Sequence, residues 1–358
     1  MPRAGIAEFV NVARVLASGC LMHSASDNRS FTARFQTALA AKMGVKHALA
    51  VNSGTSGLIA ALVAAGIGPG DEVLIPAYTW VSTAIAPLAV GAIPILVDID
   101  ETLTMDVVDL ERKITPFTRA IIPVHMVNHV CCMDEIMALA TRHNLIVIED
   151  ACQAVGVTYK GRRVGSIGDF GVFSFNHYKN MSAGEGGALL TNNTVFYNRA
   201  KVFHDVGTYY NEYRSDSFDF VGCNLRVSEL TGAVLHAQLG KLDNHLQRLR
   251  RIRKRYLKSS KFADIQPSPH HDVKNAVGLT YLFSSPEEAT SFAKKNRNVV
   301  VIFDIKKYDY LSWLPVLSGC REDPRKNPYL FAKRNFEYSP EMCSITLDIL
   351  SRSCLVLN

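Results

Sequence analysis

The stretch His47–Gly66, HALAVNSGTSGLIAALVAAG, decides the reading of the fold. HALAV is an apolar run of strand length, and SGLIAALVAAG is an apolar run long enough for a helix. A turn of small and hydroxylated residues joins them. Outward from this stretch the alternation recurs. DEVLIPAY (Asp71–Tyr78) reads as a strand and VSTAIAPLAVG (Val81–Gly91) as a helix. AIPILVDID (Ala92–Asp100), RAIIPVHMV (Arg119–Val127) and LIVIEDA (Leu145–Ala151) read as strands, with an amphipathic helix MDEIMALATRHN (Met133–Asn144) before the last. FGVFSF (Phe170–Phe175) and GALLTNN (Gly187–Asn193) close the series. Strands alternating with helices at this spacing predict βαβ crossovers and an α/β fold with a mainly parallel sheet. The strands are rich in Val and Ile and nearly continuous in hydrophobicity, as expected when both faces are covered.

Further along, Leu239, Leu242, Leu246, Leu249, Ile252 and Tyr256 form one apolar stripe at helical spacing. Arg248, Arg250, Arg251, Arg253, Lys254, Arg255 and Lys258 occupy the other faces and read as a solvated surface, not as a nucleic-acid site. SPHHDVKN, with His270 and His271, reads as a solvated linker. GLTYLFSS, PEEATSFAKKN and VVVIFDI then predict a strand, a helix and a strand of a smaller C-terminal α+β domain over 246–358.

Composition bounds the function. The chain has 358 residues, 48% hydrophobic and 20% charged, with a net charge of +6, which fits a globular protein with a mild preference for anionic ligands. No stretch reaches 18 uninterrupted apolar residues, so no membrane span is expected. Glu8 and Arg14 interrupt any apolar core of a leader peptide. Cysteines at 20, 131, 132, 152, 223, 320, 343 and 354 show no disulfide framework, which points to the cytoplasm. His125, His129, Cys131 and Cys132 lack the spacing of a four-ligand site, so no metal is expected. Gly66–Gly70 follows a helix and precedes a strand, the reverse of a phosphate loop.

In sheets of this kind ligands bind beyond the carboxyl ends of the strands. Chemistry-bearing residues gather there. SGTSG before an apolar helix is either a phosphate cradle or a plain N-cap by Ser53 or Thr55. Trp80 is either a stacking platform or a core aromatic. Asp150 ends an apolar strand, where it needs a cationic partner or a cap. Lys179 lies 29 residues after Asp150, since 179 − 150 = 29, and alone would read as a surface lysine. Together they match what pyridoxal 5′-phosphate requires: a lysine for its aldehyde, an acid for its pyridinium nitrogen, a ring platform and a phosphate cradle.

SGTSGLIAAL, DEVLIPAYTWVSTA, VDIDETL, PVHM, IEDACQAVG, GDFGVFSFNHYKNMSAGEGGALLTNN and NLRVSELTGAVLHAQLGKLD resemble, in that order, the DegT/DnrJ/StrS-type sugar aminotransferases. The resemblance covers roughly residues 35 to 250 closely. It implies a fold-type I, aspartate aminotransferase-like α/β homodimer, with a large cofactor domain over 1–245 and the segment before residue 25 open to packing with the small domain. It implies Lys179 as the catalytic lysine that bonds to the cofactor, Asp150 as the pyridinium partner, Gln153 near the ring's 3′-oxygen and Trp80 stacked on the ring. Thr55, Ser56 and Ser174 are implied as phosphate ligands, and Asn224 as a ligand reaching the phosphate of the neighbouring subunit. A dehydratase branch carries histidine at the lysine position; Lys179, with His177 two residues earlier, places this chain with the aminotransferases.

The expected reaction moves an amino group from L-glutamate, or glutamine, to a keto sugar carried on a nucleotide. A cyclitol ketone or the aldehyde of a free sugar acid are alternative acceptors, and a non-catalytic cofactor-binding regulator is the alternative outside the enzymes. Met126–His129 after PVH and the segment KKYDYLSW depart from the family pattern where the sugar is expected, which leaves its identity open.

Overall fold

The computed structural model describes residues 4–22, 30–207, 220–262, 265–318 and 324–357; Cys320 lies outside them. In chain order the main elements begin with helices α1 (Ile6–Ser18) and α2 (Phe31–Met43), strand β1 (His47–Val51), α3 (Gly54–Ala64), β2 (Glu72–Pro76) and α4 (Ser82–Ala89). They continue through β3 (Ile93–Val97), α5 (Val107–Lys113), β4 (Thr118–Ile121), α6 (Met133–His143) and β5 (Ile146–Asp150). After a short ribbon of β6 (Thr158–Tyr159) and β7 (Arg162–Arg163) come β8 (Phe170–Ser174), β9 (Gly187–Thr191), α7 (Thr194–His204) and α8 (Glu229–Leu257). The last part holds β10 (Thr280–Leu282), α9 (Pro286–Lys295), β11 (Val299–Val301) and β12 (Ser353–Val356).

The central sheet has the order β1-β9-β8-β5-β4-β2-β3. Every strand in it runs the same way except β9, which is antiparallel to both β1 and β8. This is the mainly parallel α/β sheet that the sequence predicts. A separate three-stranded antiparallel sheet has the order β10-β12-β11. The chain forms two compact units. One comprises Met1–Ile67, Ile148–Gly156 and Arg162–His245; the other comprises Gly68–Val147, Val157–Gly161 and Leu246–Asn358.

In the first unit, buried carboxylates fix the backbone. Glu149 is fully buried in β5 and accepts from the N–H groups of Gly165, Ile167 and Gly168 at 2.8, 2.6 and 2.8 Å. A carboxylate removed from water needs this many donors. Glu229, at the start of α8, accepts from Ser30 Oγ and the Phe31 N–H at 2.7 and 2.6 Å, which ties the N-terminus of α2 to α8. Glu8 of α1 is bound by Gln238 and Lys241 of α8 at 2.7 and 2.6 Å.

In the second unit three expectations are corrected. RAIIPVHMV is a strand only to Ile121. Pro123 has no N–H to give the ladder, and Val127 and Asn128 turn the chain with positive φ. Arg253 does not lie on a solvated face: it is buried and donates to the Gly278 carbonyl at 3.0 Å. His270 and His271 do not lie in a solvated linker, since both Nε2 atoms are buried. The His270 ring lies 5.2 Å from that of His129, whose Nε2 pairs with Thr280 Oγ1 at 3.1 Å. His125 Nδ1 accepts from the Cys131 N–H at 3.1 Å, which is how that histidine is used. Among the described residues no group of His, Cys, Asp or Glu is arranged to hold a metal, and no helix is long and apolar enough to cross a membrane.

Two predictions follow from these buried groups. Glu149→Gln replaces an all-acceptor group facing three donors with one that carries its own N–H, and should cost about 3 kcal/mol of stability, read from the urea midpoint. The second concerns pH. Burial, and then the Arg253 guanidinium, push the His270 imidazole down to about 4, with His271 acting the same way and Asp272 opposing. A depressed histidine contributes stability above its unfolded value of about 6.5 that is lost as the pH falls through its folded value. The urea midpoint should therefore decline between pH 6.5 and 4, and His270→Asn should flatten that decline.

Candidate active site

The site is built on the antiparallel strand. Because β9 runs backwards, its first residue, Gly187, lies where its parallel neighbours end. Gly187 pairs with Val51, the last residue of β1, and with Ser174, the last residue of β8. A Cβ on Gly187 would lie 2.5 Å from the Ser53 carbonyl, so only glycine lets the turn after β1 settle on this strand. That turn becomes the N-terminus of α3. Ser53 caps it, accepting from the Ser56 N–H at 3.0 Å, so the N-cap reading of SGTSG is correct as far as it goes. Ser56 Oγ accepts from Ser53 Oγ at 2.9 Å and donates to Asn52 Oδ1 at 2.6 Å. Thr55 and Ser56 are both half-buried on the first turn of the helix.

Gly54 joins this turn to the rest. A Cβ there would lie 2.7 Å from Cys152 Sγ and 3.0 Å from Ser174 Cβ. The helix N-terminus, the end of β8 and the residues after β5 therefore converge on one point. Asp150, the last residue of β5, is 5% exposed, and its Oδ1 accepts from the Cys152 N–H at 3.1 Å. Gln153 follows in the same turn, half-buried. Burial and the Asp150 carboxylate push the Cys152 thiol well up, while the positive charge of Lys179 acts the other way. Asp150 and Lys179 thus both lie within electrostatic reach of one sulfur.

Lys179 sits on a loop closed by its own backbone. Phe175 N–H donates to Gly186 O at 2.8 Å, His177 N–H to Gly184 O at 3.1 Å and Ala183 N–H to Phe175 O at 3.0 Å. Met181 is fully buried, and Asn180 Nδ2 donates to the Val155 carbonyl at 3.1 Å. Lys179 itself is half-buried, and its N–H donates to Asn176 O at 3.0 Å. Asn224 is exposed, with Oδ1 accepting from the Arg226 N–H at 3.3 Å. Its neighbour Leu225 accepts from the Asn52 N–H at 2.8 Å. In the second unit Trp80 follows β2; its side chain is 45% exposed and meets the edge of Tyr308 at 6.1 Å between ring centroids. The core reading of Trp80 is therefore wrong; Tyr78, two residues earlier, is the buried aromatic.

Of the residues expected at the site, Thr55, Ser56, Asp150, Gln153, Ser174, Lys179 and Asn224 lie in the first unit and Trp80 in the second. Sequence reasoning assigns no role of their own to Gly54 and Cys152, while the close passage of the backbone at the glycines after Lys179 is expected from FSFNHYKNMSAGEGG and is seen at Gly187. Their signals are a glycine just after a strand-end serine and a cysteine between two expected cofactor residues.

This donor set fits pyridoxal 5′-phosphate. An amine, a buried strand-end carboxylate and a helix N-terminus that glycine keeps clear of side chains answer the three ends of that molecule. Site and sheet together define a fold-type I pyridoxal-phosphate enzyme. The comparisons narrow the class: residues 6–303 match the DegT/DnrJ/EryC1/StrS aminotransferase family, and the chain belongs to that family. It is 44% identical over 223 residues to GDP-perosamine synthase of Caulobacter vibrioides, covering 62% of this chain and 60% of that protein. It is 39% identical over 231 residues to L-glutamine:2-deoxy-scyllo-inosose aminotransferase of Micromonospora echinospora, covering 62% of this chain and 55% of that one. The chain thus matches little more than half the length of these relatives. The crystal structure of 3-amino-5-hydroxybenzoic acid synthase superposes with a TM-score of 0.81 at 27% identity, over 99% of this chain and 91% of that one.

Gly54→Ala tests the convergence. The added methyl group has no room beside Cys152 and Ser174, and overpacking of this kind costs about 1–3 kcal/mol. Pyridoxal phosphate affinity, measured by equilibrium dialysis, should fall by about tenfold or more as the helix N-terminus is pushed aside.

Proposed function

We propose that the protein is a pyridoxal-phosphate aminotransferase that moves an amino group from L-glutamate to a keto sugar carried on a nucleotide, in amino-sugar biosynthesis. The observation that carries this reading is the convergence at Gly54 of the α3 N-terminus, Ser174 and the Asp150–Cys152 turn, with Lys179 in electrostatic reach. Bound pyridoxal phosphate supplies an electron sink for the donor's Cα–H bond and carries the amino group between half-reactions.

The chain's own residues do the rest. Thr55, Ser56 and Ser174 would hold the phosphate. Asp150 would serve the ring nitrogen and favour its protonated form, Gln153 would serve the ring's oxygen side, and Trp80 would supply the stacking surface. Lys179 Nζ would hold the cofactor's aldehyde end and would serve as the base for the donor's Cα proton. Asn224 reaches the phosphate of a neighbouring copy in a homodimer with shared sites, a role that its exposed side chain supports. We place the protein in the cytoplasm, which its free described cysteines support, and read 1–245 as the cofactor domain and 246–358 as the small domain. The three-stranded sheet after Leu246 supports that division. A second reading, glutamine as donor and a cyclitol ketone as acceptor, is favoured by the name of the Micromonospora relative.

Purified protein should bind pyridoxal phosphate covalently and absorb in the near-visible range. Lys179→Ala should abolish the covalent attachment, seen by mass spectrometry after borohydride reduction, and lower turnover by at least about 10³-fold. Transfer of ¹⁵N from labelled glutamate or glutamine to a panel of nucleotide-linked keto sugars and cyclitol ketones should favour glutamate and a nucleotide sugar. Exclusive transfer from glutamine to a cyclitol establishes the second reading, and a protein that binds no pyridoxal phosphate refutes both.

A further inference from the structure

Trp80 has its main chain placed by one segment and its ring met by another, both within the second unit. Its carbonyl accepts from the Thr83 N–H at 3.0 Å as α4 begins. That bond fixes the backbone and leaves the side-chain torsions to be set by what the indole touches. The ring set against it belongs to Tyr308. Thr79 N–H donates to the Tyr308 carbonyl at 2.8 Å and Tyr310 N–H to the Ala77 carbonyl at 3.0 Å, with Tyr78 and Asp309 paired between them as an antiparallel bridge. The segment that carries Tyr308 is thus laid along the segment that carries Trp80. Its far end is anchored: Tyr310 and Trp313 are buried, and Asp309 accepts from the Ser312 N–H at 3.2 Å and from its hydroxyl at 3.1 Å. This register sets the Tyr308 ring 6.1 Å from that of Trp80 at 66°, and 6.4 Å from that of Tyr78 at 88°. Both are edge contacts in the range that aromatic pairs favour. The Lys307 ammonium, 5.2 Å from the centroid of the Tyr308 ring, adds a cation–π contact to it.

We propose that Tyr308 is a positioning residue: its ring braces the exposed Trp80 indole against the buried Tyr78, so that the surface for the cofactor ring is set before pyridoxal phosphate arrives. This rests on the reading of Trp80 as the stacking surface. Tyr78 is buried in an apolar cluster against which Tyr308 also packs, so it is the fixed end of the three rings, and Trp80 is the open end. An indole that must be ordered on binding loses that ordering from the affinity, and a braced one does not. The contacts run from ring to ring. Phenylalanine at position 308 keeps them, and alanine removes them.

The test has two arms. In the first, pyridoxal phosphate affinity is measured by equilibrium dialysis for the wild type, Y308F, Y308A, W80A and W80A/Y308A, with urea midpoints to confirm folding. Y308A should bind about fivefold more weakly, the worth of one aromatic pair, and Y308F within about two-fold of the wild type. A residue that acts through Trp80 has nothing to act on once the indole is gone. Adding Y308A to W80A should therefore change affinity by less than about two-fold. A tyrosine that only supports the fold weakens binding equally in both backgrounds, and equal losses overturn the proposal, as does wild-type affinity in Y308A. In the second arm the indole is followed in the cofactor-free protein by time-resolved fluorescence anisotropy. The chain has two tryptophans, so W313F leaves Trp80 as the sole reporter. Trp313 Nε1 has no hydrogen-bond partner, so W313F removes none. The fast, side-chain part of the anisotropy decay should grow in W313F/Y308A and stay unchanged in W313F/Y308F. Equal decays in all three overturn the brace. W80A at wild-type affinity, or a wild type that binds no pyridoxal phosphate, overturns the stacking reading and the proposal with it. Weakened W80A with equal losses from Y308A overturns the proposal alone.

Discussion

The site depends on backbone packed against backbone at Gly187. A parallel sheet brings the ends of its strands to one edge but leaves them about 5 Å apart in hydrogen-bonded rows. Inserting one reversed strand, β9, between β1 and β8 makes its first residue a partner of both strand ends at once. The Ser53 carbonyl then rests where a side chain would otherwise be. From that contact follow the placement of the α3 N-terminus, its approach to Ser174, and the gap that Cys152 fills. The polar chemistry is arranged on a frame that begins with contact between backbones.

Two adjacent carboxylates on β5 show how strand alternation divides labour. Glu149 and Asp150 point to opposite faces of the sheet, as successive strand residues must. Glu149 is consumed by three backbone amides and orders the loop that leads into β8. Asp150 ends the strand, with a turn and not another strand residue beyond it, and so borders the site. One carboxylate builds the frame, and the next stands at the edge where we propose the chemistry takes place.

Much of this was legible in the sequence because it is local. Most of the strand runs, the helices between them and the SGTSG cap depend on residues close together in the chain, and the structure bears these out. What escaped depends on distant partners. Glu229 binds residues 198 and 199 positions away, and nothing in its own neighbourhood marks it as buried. Arg253 sits among six other basic residues of its helix, and only the Gly278 carbonyl draws it inward. His270 and His271 lie in a polar stretch that looks solvated until His129 and Thr280 are seen beside it. Cys152 sits between two expected cofactor residues, and only the approach of Gly54 from α3 shows where its sulfur lies. Strand β4 stopped short at a proline whose effect was readable and was outweighed by the apolar run around it.

The loop that carries Lys179 has a consequence for how such a protein changes over time. Its backbone is closed on itself by Phe175, His177 and Ala183, and held from within by Met181 and Asn180. None of these restraints involves the lysine's side chain. The side chain at position 179 is therefore displayed by the loop without closing it, so an exchange there removes none of these restraints. A scaffold with that property lets the side chain at one position vary while the loop that presents it keeps its own closure.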